Sequence, residues 1–142
     1  MKKVYKILIL SITILIICVN CSEECNDCLE LTVKNIKYID PDGTNLLFGD
    51  QAMYDPDSVS IEVGNGIPVS VRKQEDNGTL LFNLEGNYTT YYIVLSDSLI
   101  DTLDFVLAER KSTSCCGNVV YSTKTTLNGQ EIENNDLVII TR

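Results

Sequence analysis

Histidine and tryptophan are absent from this 142-residue chain, and proline occurs only three times. Without histidine, the chain lacks the one side chain whose ordinary pKa lies near neutrality. That excludes His-based triads and most zinc hydrolase sites. No phosphate loop and no dinucleotide fingerprint is present, and no cofactor is expected. Basic residues are also scarce: 11 Lys and Arg stand against 20 Asp and Glu, for a formal charge of −9. Such a surface repels nucleic acid and anionic membrane faces, so nucleic acid is not an expected partner. It suits cations, basic proteins or neutral glycans, and it also serves solubility. Carboxylate pairs are the one catalytic option left, since glycosidases need only two acids. With 20 acids on a small chain, a pair arises by chance, and the expectation is that the protein is not an enzyme.

What is present begins with the first 28 residues. Met1 to Lys6 is a short basic head, and Ile7 to Ile17 is apolar apart from Ser11 and Thr13. Cys18-Val-Asn-Cys21 and Ser22-Glu-Glu24 follow. A basic start, a short apolar run and a cleavage zone make a secretory signal. The run is shorter than the roughly 20 apolar residues that a spanning helix needs. The segment resembles a bacterial lipoprotein signal, in which a cysteine becomes the lipidated first residue of the mature chain. Asn20 suits the position before Cys21 better than Ile17 suits the one before Cys18. The acidic Ser22-Glu-Glu24 resembles the surface-export signal of lipoproteins from the Bacteroidota, although Cys18 stands where Leu is usual. The resemblance implies a lipid, palmitate among its acyl chains, on Cys21. It further implies attachment to the outer membrane, at the cell surface or on the periplasmic face. The expected organisation is a signal over 1–20, an acidic Cys-containing tether over 21–28 and one domain over 29–142. The mature part holds all 20 acids and 8 of the 11 basic residues, a charge of −12.

Cysteine use fits export. With Cys18 removed and Cys21 acylated, Cys25, Cys28, Cys115 and Cys116 remain. An even number in an exported chain argues for disulfides. A Cys115–Cys116 bridge would need a strained vicinal ring, so cross-links from Cys25 and Cys28 to Cys115 and Cys116 are preferred. Each would close a loop of about 90 residues and stabilise the fold by about 4 kcal/mol on the chain-entropy model. The alternatives are a four-cysteine zinc site, which adjacent cysteines fit poorly, and a redox pair, for which a βαβ context is missing.

The rest of the chain alternates strands and turns. Leu29, Leu31 and Val33 share one parity while Ile36 and Tyr38 share the other, which predicts a β-bulge near Asn35. Asp40-Pro-Asp-Gly43 is a turn, and Leu46 to Tyr54 reads as an irregular loop over the sheet edge. Val59–Val63 and a return strand through Ile67, Val69 and Val71 flank the hairpin turn Gly64-Asn-Gly66. Glu75-Asp-Asn-Gly78 turns again before Leu80, Phe82 and Leu84. Tyr88 to Leu95 is almost continuously apolar, as a central strand covered on both faces would be. Leu103, Phe105 and Leu107 alternate; Val119 to Leu127 is a Thr-rich strand. Asn128-Gly129 marks a hairpin, and Leu137 to Thr141 ends the series.

Seven or eight short strands without a helical pattern predict an all-β, antiparallel sandwich after the N-terminal signal helix, with a small β-barrel as the alternative. The Asp-Gly turn, Asn45-Leu-Leu47, the late Asn-Gly and the lipoprotein signal together resemble small Bacteroidota lipoproteins. That resemblance implies an immunoglobulin- or transthyretin-like sandwich and carries no catalytic motif.

Few residues qualify as sites. Asp40 and Asp42 are a calcium candidate, with Asp50, Asp55 and Asp57 nearby, but Gln51 stands where a twelve-residue calcium loop needs Glu; an Asx turn is the expected reading. Asp57-Ser58-Val59, Asp97-Ser98-Leu99 and Asp101-Thr102-Leu103 resemble the O-glycosylation sequence of Bacteroidota, marking Ser58, Ser98 and Thr102. Tyr88, Tyr91 and Tyr92 can stack on sugars if exposed, although core packing is expected. Two roles follow. One is a non-enzymatic binding or accessory module, membrane-anchored by its lipid and engaging a glycan, a peptide or an outer-membrane complex. The other is a structural or protective envelope protein, or an enzyme inhibitor, without a small-molecule ligand.

Overall fold

The structure is a computed structural model that describes residues 33–85, 88–111 and 118–142. The expected signal, tether and disulfides, all six cysteines, and Leu29 and Leu31 lie outside the described residues. The described residues form ten strands: β1 Val33–Ile39, β2 Ser60–Val63, β3 Ile67–Val69, β4 Val71–Gln74, β5 Thr79–Asn83, β6 Thr90–Ser96, β7 Leu99–Lys111, β8 Asn118–Leu127, β9 Gln130–Ile132 and β10 Leu137–Thr141. They make a four-stranded sheet in the order β10-β1-β5-β4 and a six-stranded sheet in the order β3-β2-β6-β7-β8-β9. The fold is thus an all-β sandwich of two open sheets, not a closed barrel. Strand-forming side chains alternate inward and outward along β1, β2 and β6, and the inward ones fill the space between the sheets.

The count exceeds seven or eight for two reasons: the Asn128-Gly129 turn returns a short β9 against β8, and one expected strand is divided. Ile67 to Val71 reads as one strand, but the chain changes sheets at Ser70: β3 pairs with β2, and β4 pairs with β5 in the other sheet. The sandwich is not wholly antiparallel either. β10 lies parallel to β1, with Asn35 beside Leu137 and Ile39 beside Thr141. Residues 133–136 carry the chain from β9 in the larger sheet to β10 in the smaller one.

The bulge expected near Asn35 is not there. β1 alternates without a slip, and its buried positions are Lys34, Ile36 and Tyr38. The change of parity arises because a lysine occupies an inward position. Register shifts fall instead at Val94/Ser96 and at Val106/Leu107; at the second, the Thr123 hydroxyl donates to the Val106 carbonyl at 3.1 Å.

The core holds Ile36, Tyr38, Ile61, Val63, Leu80, Phe82, Tyr91, Ile93, Leu103 and Ile140, each at most 2% exposed. Tyr91 stands at its centre, 5.2 Å from the Phe82 ring and 5.5 Å, edge-on, from Phe105. These offset arrangements suit the ring quadrupoles. The irregular Leu46–Tyr54 loop contributes more than cover: Leu46 and Leu47 are buried. Asn45 sets their path. Its side-chain oxygen accepts from the Leu47 and Phe48 amides, and its Nδ2 donates to the Gly78 carbonyl at 2.8 Å. Gly78 sits at φ 63°, and a Cβ there would collide with that Asn45 amide. The Asn128-Gly129 hairpin joins β8 to β9 with φ of 49° and 81°, the two left-handed residues that a tight hairpin turn requires.

Candidate functional site

Polar side chains gather both inside the sandwich and on its surface. Inside, Asp101 on β7 is fully buried, because its parity matches Leu103 and Phe105. Its carboxylate accepts from the Tyr38 hydroxyl at 2.8 Å, from Asn128 Nδ2 at 2.6 Å and from the Arg142 guanidinium. Tyr38 belongs to the smaller sheet, so this cluster ties the two sheets together. Burial pushes the Asp101 carboxyl up, but the three hydrogen bonds and the Arg142 charge outweigh it and hold the group below the ordinary carboxylate range. Burial, then the neighbouring Asp101 charge, raises the Tyr38 phenol. The hydrogen bond to Asp101 raises Arg142 in turn. A carboxylate with three donors and no exposed surface is built to stay ionised and still. It is poorly placed to exchange a proton with a substrate.

A second buried polar position is Lys34, which is 2% exposed. Its Nζ donates to the Asn135 carbonyl at 2.9 Å, lies 3.5 Å from an Asp136 oxygen and stands 6.0 Å from the Phe105 ring centre. Desolvation lowers its pKa, and Asp136 opposes part of that. Nearby, the Ser122 and Thr125 hydroxyls both donate to Asn134 Oδ1, and Asn134 Nδ2 returns a bond to the Ser122 carbonyl. Among the described residues no buried side-chain nitrogen or oxygen lacks a partner, so the interior offers no polar group waiting for a ligand.

The Asp40 turn is self-contained. Asp40 Oδ1 accepts from the Asp42 amide at 2.9 Å and the Thr44 amide at 2.8 Å. Asp55 does the same for the Asp57 amide at 2.9 Å, and Asp57 pairs with Lys73. The calcium candidates Asp40 and Asp42 thus sit in a turn whose amides are held by the Asp40 carboxylate, and among the described residues no three acidic or thiol side chains converge as metal ligands do.

The outer face of the six-stranded sheet is different. Tyr91 and Tyr92 are neighbours on β6, yet Tyr91 is fully buried and Tyr92 is 37% exposed. Among the described residues the near-continuous apolar run of β6 is therefore covered on one face only, although the strand lies inside its sheet. Register places Glu62 of β2 and Thr102 of β7 on either side of Tyr92. The next row is Ser60, Val94 and Ile100. The row on the other side is Thr90, Asp104 and Thr126, where the Thr90 hydroxyl donates to Asp104 at 2.7 Å. Ile100 is 51% exposed. An apolar strip of Tyr92, Val94 and Ile100 thus runs between carboxylates and hydroxyls, with strands about 4.8 Å apart.

Of the O-glycosylation candidates, Ser58 and Ser98 are exposed in turns, with Ser58 Oγ donating to the Asp55 carbonyl at 2.7 Å. Thr102 is half-buried within β7, its amide bonded to Asn128 Oδ1 at 2.8 Å. Asp101, Asn128 and Arg142 were not expected as a cluster. The parity of Asp101 with Leu103 and Phe105 was the available sign. Compared with protein-family models, with curated proteins and with solved structures, the chain has no match.

Proposed function

We propose that this protein is a membrane-anchored lipoprotein that serves as a non-enzymatic binding module, with the outer face of its six-stranded sheet as the recognition surface and a neutral glycan as its ligand. The observation that carries this reading is Tyr92, exposed on a rigid interior strand between Glu62 and Thr102. An aromatic ring stacks on the apolar face of a sugar, and flanking carboxylates and hydroxyls take its hydroxyl groups. The acidic surface favours a neutral ligand over an anionic one. The anchor is Cys21, from the lipoprotein-like signal, and the surface-export resemblance of Ser22-Glu-Glu24 supports a position on the outer leaflet. The absence of histidine and the fully engaged Asp101 support a role without turnover.

Two experiments test it. Metabolic labelling with an alkyne-bearing palmitate analogue should mark the wild type and not Cys21→Ala; equal labelling of both removes Cys21 as the anchor. The full chain in detergent should bind a subset of a neutral glycan array saturably. Glycan hydrolysis that vanishes when one Asp or Glu is changed to Ala would replace the binding role with an enzymatic one. Absence of both binding and turnover would favour a structural or protective envelope role.

A further inference from the structure

Among the described residues the two sheets have four edge strands, and three are blunted in ways that discourage pairing. β3 is three residues long and contains Pro68. β4 carries Arg72 and Lys73. β9 is three residues long, and its Glu131 is paired with Lys124 at 2.6 Å. Short edges, proline and charge are the ordinary protections against strand addition. β10, Leu137-Val-Ile-Ile-Thr141, has none of them. It carries no charge, no proline and no bulge.

The open side of β10 can be read from its ladder. The Asn35 amide donates to the Asp136 carbonyl at 2.7 Å, and the Arg142 amide donates to the Ile39 carbonyl at 2.9 Å. In a parallel pair, alternate residues bond to the same neighbour. The even positions, Val138 and Ile140 with Asp136 and Arg142, therefore face β1. Leu137, Ile139 and Thr141 aim their amides and carbonyls away from it. No described strand lies on that side. The side chains of Leu137 and Ile139 are 41% and 50% exposed, beside a hollow of about 180 Å³ lined by Ile132, Glu133, Asn135, Leu137, Val138 and Ile139.

We infer that β10 is a homodimerisation edge, which a second copy of this chain joins through its own β10, antiparallel. The sequence is self-complementary in that arrangement. Pairing centred on Ile139 sets Ile139 against Ile139 of the second copy and Leu137 against Thr141. These are the positions whose backbone groups face outward, as the hydrogen-bonded pairs of an antiparallel ladder require. The same register sets Asp136 opposite Arg142 at both ends. Asp136 is 71% exposed, and Arg142, 32% exposed, keeps its bond to Asp101, so opposite charges, not like ones, meet at both ends. Two four-stranded sheets then become one of eight strands. Five residues per copy bury less than the roughly 1,200–2,000 Å² of a standard stable interface, so the dimer forms in a concentration-dependent way. Anchorage to a membrane would raise the local concentration.

The full chain in detergent is measured by native mass spectrometry and hydrogen exchange over a concentration series. The expected mass doubles with concentration, and the amides of Leu137, Ile139 and Thr141 gain protection in step. The even amides stay protected throughout, since they bond β1. Ile139→Pro removes a donor that β1 does not use, and proline is tolerated where an edge amide faces outward. Ile139→Lys places a charge on the edge. Both should be monomeric with an unchanged circular dichroism spectrum. If a variant unfolds, the exchange pattern of the wild type decides alone. A monomer at every concentration would overturn the inference, as would a dimer that survives both variants through another surface. Protection of the odd amides in a monomer would also overturn it and assign the edge to another segment of the same chain.

Discussion

Tyr91 and Tyr92 are adjacent and chemically identical, and the sheet gives them opposite work. Tyr91 is fully buried between Phe82 and Phe105, and its hydroxyl accepts from the Glu85 amide at 2.6 Å. Tyr92 lies on the other face, 37% exposed, among Glu62, Thr102 and Thr90. The same division holds one strand away, where Asp101 is locked inside and Thr102 faces out. Inward polar groups on these strands are consumed by the fold. Outward ones meet solvent or one another, as Thr90 and Asp104 do. The difference is why the proposed recognition surface is set on the face where side chains cost little to change.

Substitutions can break that contrast, beginning with the largest effect. Tyr91→Ala should remove a central ring, leave a cavity and destabilise the fold by about 4 kcal/mol. In a domain of this size that lowers Tm by about 20 °C, measured by thermal unfolding. Asp101→Ala leaves the buried Tyr38 hydroxyl and Asn128 amide without their acceptor and Arg142 without its counter-charge. Breaking such a group from one side costs about 3 kcal/mol, to be read from a denaturant titration.

The pH dependence sharpens the account of the interior. Asp101 is held below its ordinary value when folded. Its contribution is therefore complete above the unfolded pKa, about 4, and is lost as pH falls through the folded value. Tyr38 is raised when folded, so it keeps its proton while an unfolded tyrosine ionises. Its contribution declines as pH rises above about 10. Unfolding midpoints should fall at both extremes. Asp101→Asn should flatten the acid limb and Tyr38→Phe the alkaline limb, with Tyr91, also raised by burial, retaining part of it. Lys34 offers the next smaller effect. Its ammonium is desolvated and only partly compensated by Asp136, so Lys34→Met should change stability by no more than about 1 kcal/mol, toward a more stable fold. A loss of several kcal/mol in denaturant unfolding would show that the ion pair is a structural anchor instead.

Much of the sandwich was legible in local patterns. Val59–Val63, the Gly64-Asn-Gly66 hairpin, the Leu103/Phe105 parity and Asn128-Gly129 all read directly as the elements found. The misreadings share one cause: pairing depends on partners distant in sequence. Nothing local shows that the chain changes sheets at Ser70, that β10 runs parallel to a strand 100 residues earlier, or that Lys34 points inward. A lysine at the inward position 34 interrupts the apolar alternation, and the interruption has the same local signature as a bulge. Asp101 was hidden in the same way, by an acidic residue at an inward position of β7. The face around Tyr92 was half legible. The tyrosine itself stands out in the sequence, but its exposure depends on which face of the larger sheet packs against the smaller one, and that is a tertiary fact.

The most direct measurement uses the full chain in detergent with Tyr92→Ala, recording thermal unfolding and retention on immobilised neutral polysaccharides together. Tyr92 lies outside the core, so its stability change should stay within about 0.5 kcal/mol. The account predicts a nearly unchanged Tm with loss of the retention seen for the wild type. Retention that is equal in both proteins would contradict it, and would show that the outer face of the six-stranded sheet is not where this protein binds.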